Sequence, residues 1–465
     1  MTDTGTSSPP SYTPPSTNSA GPARETFASR FGAIMSLIGV AMGLGNVWRF
    51  PYLVGKFGGA AFVLFYVVIA VGIGVPALMA EWALGRHTRR GPVGAFVRGR
   101  LPFGFQFGWV LFACVIAATG YYTAVIGWVL YYAVGALVAS FGIAFDASAV
   151  LPPDHGFVLR SFLLQAACTA AVIRACVWVL LKGLRGGIER VSKVMMPLLL
   201  VTLLVLVWRS LTLPGSMAGV RWYILKFRLE DLNANVMVSA LGHAMFSLSL
   251  GGTYMVAYGW YLGAKEKLAS AAIYTVAADT ISGLIAGLAV IPAVFALGLQ
   301  PTAGPPLIFS TLPKVFAAIP AGWLFGFLFF AGLVGAGYLS DVASFETLVA
   351  GLTDNTRLDR RRAVWVIAVA VFVLSLPPTI NNAIFLPWDL TFGSGLQTVG
   401  ALIAAVTLAW CVDRSAALDE LSSGGEAPVP RWLFLWIRFG IPLLILTVGI
   451  WWMLTSVFGV VHAAA

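Results

Sequence analysis

The sequence predicts an all-α protein threaded many times through a membrane, and three observations carry that prediction. The first is composition. Of 465 residues, 59% are hydrophobic and 10% charged, with a mean hydropathy of +0.88, whereas a soluble domain carries about a quarter charged residues. So little charge cannot cover a water-facing surface. The second is spacing. Apolar residues fall into eleven runs that meet the roughly 20-residue ruler of a bilayer core: 29–54, 59–85, 106–140, 158–181, 188–212, 235–262, 268–299, 321–352, 363–380, 386–412 and 432–458. The longer ones are expected to tilt or to project beyond the hydrocarbon.

The third is where the charge lies. The net +10 comes from 29 Lys and Arg against 19 Asp and Glu. Arg24 and Arg30 stand at the start of the first run, and Arg86, His87, Arg89, Arg90, Arg98 and Arg100 follow the second. Lys182, Arg185, Arg190 and Lys193 separate the fourth from the fifth, Lys265 and Lys267 follow the sixth, and Arg357, Arg360, Arg361 and Arg362 follow the eighth. All are on the N-terminal side of the membrane, while the opposite loop 141–157 holds Asp146 and Asp154 and no Lys or Arg. Arg221, Lys226 and Arg228 dissent, partly balanced by Glu230 and Asp231. Basic loops mark the cytoplasmic side, so the N-terminus is expected in the cytoplasm and, after eleven crossings, the C-terminus outside. The charge is an orientation signal, not a nucleic-acid surface. Residues 1–23 form a Ser/Thr/Pro-rich tail without an apolar stretch, expected to be a disordered cytosolic extension, and no cleavable signal peptide is expected. Cys114, Cys168, Cys176 and Cys411 lack a CxxC pairing and read as reduced packing residues.

Two runs carry residues that disfavour an unbroken helix. The first has Gly39, Gly43, Gly45 and Asn46 at mid-membrane, and the sixth has His243, Ser247, Ser249, Gly251, Gly252 and Thr253. Free peptide groups at that depth cost several kcal/mol each unless satisfied, so unwound stretches persist where they line a site. These patches open two successive five-helix blocks, residues 24–212 and 235–412, and five helices invert topology. Matched interruptions in inverted halves point to the binding site of a secondary transporter. The alternative is that the glycines only let helices pack closely.

The strings Gly43-Leu-Gly-Asn-Val-Trp-Arg-Phe-Pro-Tyr52, Gly58-Gly-Ala-Ala-Phe62 and Glu81-Trp-Ala-Leu-Gly-Arg86 closely resemble the neurotransmitter:sodium symporter family. Gly187-Ile-Glu-Arg190, Ser247-Leu-Ser-Leu-Gly251, Asp279-Thr280, Ala286-Gly287 and Pro292 extend the likeness over residues 24–458. The resemblance implies a LeuT-type fold: a 5+5 inverted repeat with discontinuous first and sixth helices, plus an eleventh at 432–458. It implies a sodium-coupled amino-acid importer of the bacterial inner membrane, working by alternating access as a monomer or loose dimer.

The same resemblance implies roles for residues. A first sodium site takes the Ala41 carbonyl, Asn46, Ser247 and Asp279, whose carboxylate makes a chloride requirement unexpected. A second takes carbonyls of Gly39, Met42 and Ala336 with Ser340, but Leu339 stands where a second side-chain oxygen belongs. An alternative register puts Val334 and Gly335 there, and Asp341, about 100° round the helix, substitutes only if the backbone shifts. The second site is therefore expected to be weakened or lost. Amides near Leu44 and Gly45 with the Tyr122 hydroxyl would hold a substrate carboxylate, and carbonyls near Ala41 and Phe246 with Ser247 the amine. Selectivity would fall to Ala118, Phe246, Ser249, Gly252, Ser340 and Ser344, with Gly252 leaving room for a large apolar or aromatic side chain. Arg49 and Asp389 would form an outer gate, and Arg24 and Phe27 with Asp354 an inner latch. Tyr121 and Tyr122 alternatively belong to an interfacial belt, Arg49 to the membrane surface, and His243 either to the packing or to a proton path. A proton-coupled or sodium-independent carrier on the same fold is the rival, and a transport-incompetent sensor or channel the next. An enzyme is not expected: there is no Walker loop, no His-Glu-x-x-His helix, and there are only 4 histidines.

Overall fold

A computed structural model describes residues 27–143, 145–227, 229–231, 233–263, 266–299, 307–425, 428–452 and 454. The tail 1–23, Arg24, Arg228 and Lys265 lie outside the described residues.

Among those described, nine helices are long and apolar enough to cross a membrane. They are α3 (Ala60–Thr88), α4 (Gly104–Ala139), α5 (Leu159–Leu180), α6 (Leu184–Leu211), α9 (Leu268–Ala296), α10 (Gly322–Asn355), α11 (Arg360–Thr379), α12 (Asn382–Cys411) and α14 (Arg431–Trp451). The first run is instead a bent pair, α1 (Arg30–Ala41) and α2 (Gly45–Lys56), meeting at 49°. The sixth run is two short helices, α7 (Ala234–Ser247) and α8 (Tyr254–Tyr261). A short polar helix, α13 (Arg414–Ser422), precedes α14. Both interruptions fall inside the patches read from the sequence, but later than the patches begin: helix runs through Gly39 and Ala41, and through His243 to Ser247.

The bundle is apolar inside and out. Val68, Leu163, Val201, Val369 and Leu443 are exposed on its flanks, as lipid contact requires of helices hydrophobic all round. Close packing is concentrated where α8 lies on α3. A Cβ on Gly85 would sit 1.9 Å from the Val256 carbonyl oxygen, and one on Gly259 would sit 2.5 Å from that of Trp82. With no hydrophobic drive between helices in lipid, such small-residue contacts let backbones approach and gain dispersion contacts.

Ionic pins fix several helix ends. Buried Glu189, at the start of α6, accepts the Ala28 amide (2.7 Å) and the Ser29 hydroxyl (3.0 Å) and pairs with Lys193 at 2.6 Å. Ser29 in turn caps α1 by accepting from the Gly32 amide. Arg86 pairs with Glu420 of α13 and donates to the carbonyls of Glu420 (2.7 Å) and Glu266 (2.9 Å). Arg360 grips Glu346 through two guanidinium nitrogens, at 2.9 and 2.6 Å. A two-pronged charged pair of this kind adds direction as well as energy.

Candidate functional site

The two interruptions face one another in the middle of the bundle, and side chains partner several of the peptide groups there. In the first, the Gly43 amide donates to Asn46 Oδ1 at 3.2 Å and the Leu44 amide to the Tyr122 hydroxyl at 3.0 Å. The Val40 carbonyl accepts from Ser249 at 2.8 Å and from Ser340 at 3.1 Å, and the Gly39 carbonyl from Ser340 at 3.3 Å. In the second, Ser249 and Gly252 take positive φ, +51° and +69°. The Gly251 and Gly252 amides both donate to Glu81 Oε1 at 2.9 Å. Glycine adopts that conformation without strain, whereas Ser249 is held in it by its bond to Val40.

Asn46, Ser247 and Asp279 converge between these breaks. Asn46 Nδ2 donates to Asp279 Oδ1 at 2.7 Å, and the Ser247 hydroxyl lies 2.9 and 3.1 Å from the two carboxylate oxygens. Tyr66 donates to Oδ2 at 2.8 Å. Asp279 is fully buried and, among the described residues, no basic side chain pairs with it. Amide oxygen, hydroxyl, carboxylate and nearby carbonyls are the hard donors a small hard cation prefers, so the residues present fit a sodium ion. The sequence reading missed Tyr66, an aromatic inside an apolar run, and took Glu81 only as part of a motif.

Beside this cluster lies a cavity of about 40 Å³ lined by Ala41, Gly43, Gly45, Ala118, Tyr122, Phe246, Ser247, Ser249, Ser340 and Ser344 among others. Six lining residues were not assigned to the pocket from the sequence: Val40, Gly43, Thr119, Tyr121, Tyr254 and Gln397. Tyr121 and Tyr122 both reach into this interior, not an interfacial belt. Gly252 does not line the cavity. Its Cβ direction points at the Gly400 carbonyl oxygen, 2.4 Å away, so the room its small size was expected to give the substrate is occupied by backbone. The cause is the positive φ at Ser249 and Gly252, which resets the rotation of the chain after the break.

The elements of the second sodium site are close together but differently engaged. Leu339 packs on Gly39, its Cδ1 3.4 Å from the Cβ position there. Ser340 donates to the Gly39 and Val40 carbonyls, and Met42 and Ala336 are buried nearby in α1–α2 and α10. Asp341 points away, with both carboxylate oxygens 3.0 Å from the Thr123 hydroxyl and Cys176 3.6 Å off.

Next to the cavity, Arg49 lies over the Phe246 ring at 4.8 Å, within electrostatic reach of Asp389, Tyr52 and Tyr121. Arg49 is therefore turned inward and does not reach for the surface. Phe27 rests on Tyr258 and Tyr261, ring centroids 6.4 and 6.3 Å apart, while Asp354 accepts from the Gly91 amide. His243 is buried among Phe50, Phe62 and Tyr66, and among the described residues neither ring nitrogen has a hydrogen-bond partner.

The Glu81 clamp gives a direct expectation. Glu81→Ala leaves two buried amides unsatisfied, at about 1–3 kcal/mol each, so amide hydrogen exchange at 250–253 should rise sharply. Glu81→Gln, which keeps an acceptor oxygen, should restore most of the protection. Equal protection in both variants and the parent would show that Glu81 does not hold the break.

Comparison with known proteins agrees with this geometry. The profile of the sodium:neurotransmitter symporter family matches residues 24–144 and 162–457. The sodium-dependent transporter YhdH of Bacillus subtilis (strain 168) is 32% identical over 441 residues, covering 91% of this chain and 96% of that protein. The bovine sodium-dependent dopamine transporter is 26% identical over 94% of this chain and 70% of its own length. Among solved structures, MhsT in complex with L-phenylalanine superposes with a TM-score of 0.81 at 31% identity, covering 92% of this chain and 99% of that one. The chain belongs to the sodium:neurotransmitter symporter family, a sodium-dependent transporter of LeuT-type fold and not an enzyme.

Proposed function

We propose that this protein imports an amino acid together with sodium, by alternating access about the cavity between the two helix breaks. The observation that carries the reading is the convergence of Asn46, Ser247 and Asp279 on one buried point beside that cavity. The α-carboxylate of the substrate is received by the Leu44–Gly45 amides and the Tyr122 hydroxyl, and its amine by Ser247 and the carbonyls near Ala41 and Phe246. Sodium is held by Asn46, Ser247, Asp279 and the Ala41 carbonyl. Asp279 supplies the negative charge there, so no chloride is required. Because Ser247 serves both ligands, each raises the affinity for the other.

Each helix pair, α1–α2 and α7–α8, is one broken crossing in this reading, making eleven. Residues 24–212 and 235–412 are the inverted halves, and the basic loops set the N-terminus in the cytoplasm. Arg49 and Asp389 close the outer path. Their pairing strengthens as water leaves. Phe27 against Tyr258 and Tyr261 closes the inner one.

A purified-protein melting screen of the twenty amino acids in sodium and in potassium tests the reading. At least one amino acid should raise the midpoint in sodium alone, and Asp279→Ala should abolish the rise; binding to native protein shifts the transition by mass action. A rise of equal size in potassium would contradict sodium coupling and favour the proton-coupled or sodium-independent rival.

A single sodium ion per cycle follows from Leu339 and Ser340. An aliphatic side chain occupies one ligand position, and the Ser340 hydroxyl hydrogen satisfies the carbonyls of Gly39 and Val40. Sodium dependence of uptake in proteoliposomes should therefore give a Hill coefficient near 1, rising towards 2 in Leu339→Thr. A coefficient near 2 in the unmodified protein would refute this.

A further inference from the structure

We propose that Tyr254, the first residue of α8, sets the size of the substrate side chain and restricts the site to small amino acids: glycine, alanine or serine. The proposal rests on the amino-acid reading above and deepens it. Tyr254 lines the cavity together with Ala118, Thr119 and Ser344, the wall on which the substrate side chain would lie once its carboxylate and amine are at Leu44–Gly45 and Ser247. It is buried, and Ser344 and Thr119 are the polar side chains nearest in effect to its hydroxyl.

Those two hydroxyls are themselves committed. Thr119 donates to the Val115 carbonyl at 2.7 Å and Ser344 to the Ser340 carbonyl at 2.9 Å. Both are therefore fixed in place on two helices, α4 and α10, and with Ala118 they form a wall that does not yield easily to the tyrosine ring or to a bulky substrate.

Volume decides the class. The cavity measures about 40 Å³, whereas an apolar cavity that accepts a benzene ring measures about 150 Å³. No relief comes from Gly252, which faces the Gly400 carbonyl, so the aromatic ring that enters this region is the protein's own. A side chain of one or two heavy atoms fits; a phenyl or indole does not while Tyr254 is in place. The seat is polar at its rim, through Thr119, Ser344 and the tyrosine hydroxyl, so a hydroxymethyl group is as acceptable as a methyl.

Competition against uptake of radiolabelled alanine, glycine or serine in proteoliposomes with a sodium gradient tests this. Unmodified protein should rank small amino acids above leucine, phenylalanine and tryptophan. Tyr254→Ala should improve the apparent affinity for leucine or phenylalanine by about tenfold or more relative to alanine, the range that a few methylenes of pocket space command. Tyr254→Phe should keep the small-first ranking, since it keeps the ring. Ala118→Val, which narrows the same wall, should shift the ranking further towards glycine and provides an independent reading if Tyr254→Ala does not fold. An unmodified protein that prefers phenylalanine or tryptophan, or a ranking unmoved by Tyr254→Ala and Ala118→Val, overturns the proposal while leaving the importer intact. Absence of sodium-dependent binding for every amino acid overturns both.

Discussion

The site depends on one carboxylate kept in the dark. Asp279 has no basic partner among the described residues, and burying a carboxylate without compensation costs several kcal/mol. Its hydrogen bonds to Asn46, Ser247 and Tyr66 offset part of that cost. They also tie together four elements: α2 and α7, which border the two breaks, with α3 and α9. A group so placed is one step short of satisfied, and in the proposed reading a bound cation would complete it. Stability and cation affinity would then be linked through the same atoms.

The breaks persist because side chains satisfy several of the peptide groups they expose. Tyr122 and Asn46 take the amides of the first break, Ser249 and Ser340 its carbonyls, and Glu81 two amides of the second. In lipid, where water cannot fill such roles, these side chains determine where the helices end. They also make the two breaks mutually dependent, since Ser249 of one bonds Val40 of the other. A shift of either half-helix disturbs both, which is what a carrier that alternates between two faces needs of its centre.

The bundle was legible in the sequence because lipid imposes a simple rule: runs of about 20 apolar residues between basic loops. The breaks were legible in place, from Gly43, Gly45 and Gly251–Gly252, though their limits fell a few residues later than the patches began. What the sequence hid was direction. Periodicity assigns faces at about 100° per residue, but Ser249 and Gly252 at positive φ reset that phase, so Gly252 turns to Gly400 and Tyr254 enters the cavity in its stead. Tyr66 was hidden for another reason, since an aromatic in an apolar run carries no mark of the hydroxyl bond it makes. At Leu339 the sequence showed an aliphatic side chain directly, but it carried no sign that the neighbouring Asp341 is turned to Thr123 and Cys176.

The most direct test of shared occupancy at Asn46, Ser247 and Asp279 is equilibrium binding of radioactive sodium to purified protein, with and without a saturating amino acid, alongside the reciprocal titration. If the two ligands meet at these atoms, the amino acid tightens sodium binding by the same factor by which sodium tightens amino-acid binding, as linkage demands. Sodium affinity indifferent to the amino acid would mean that the two do not meet there, and the account built on Asp279 would be wrong.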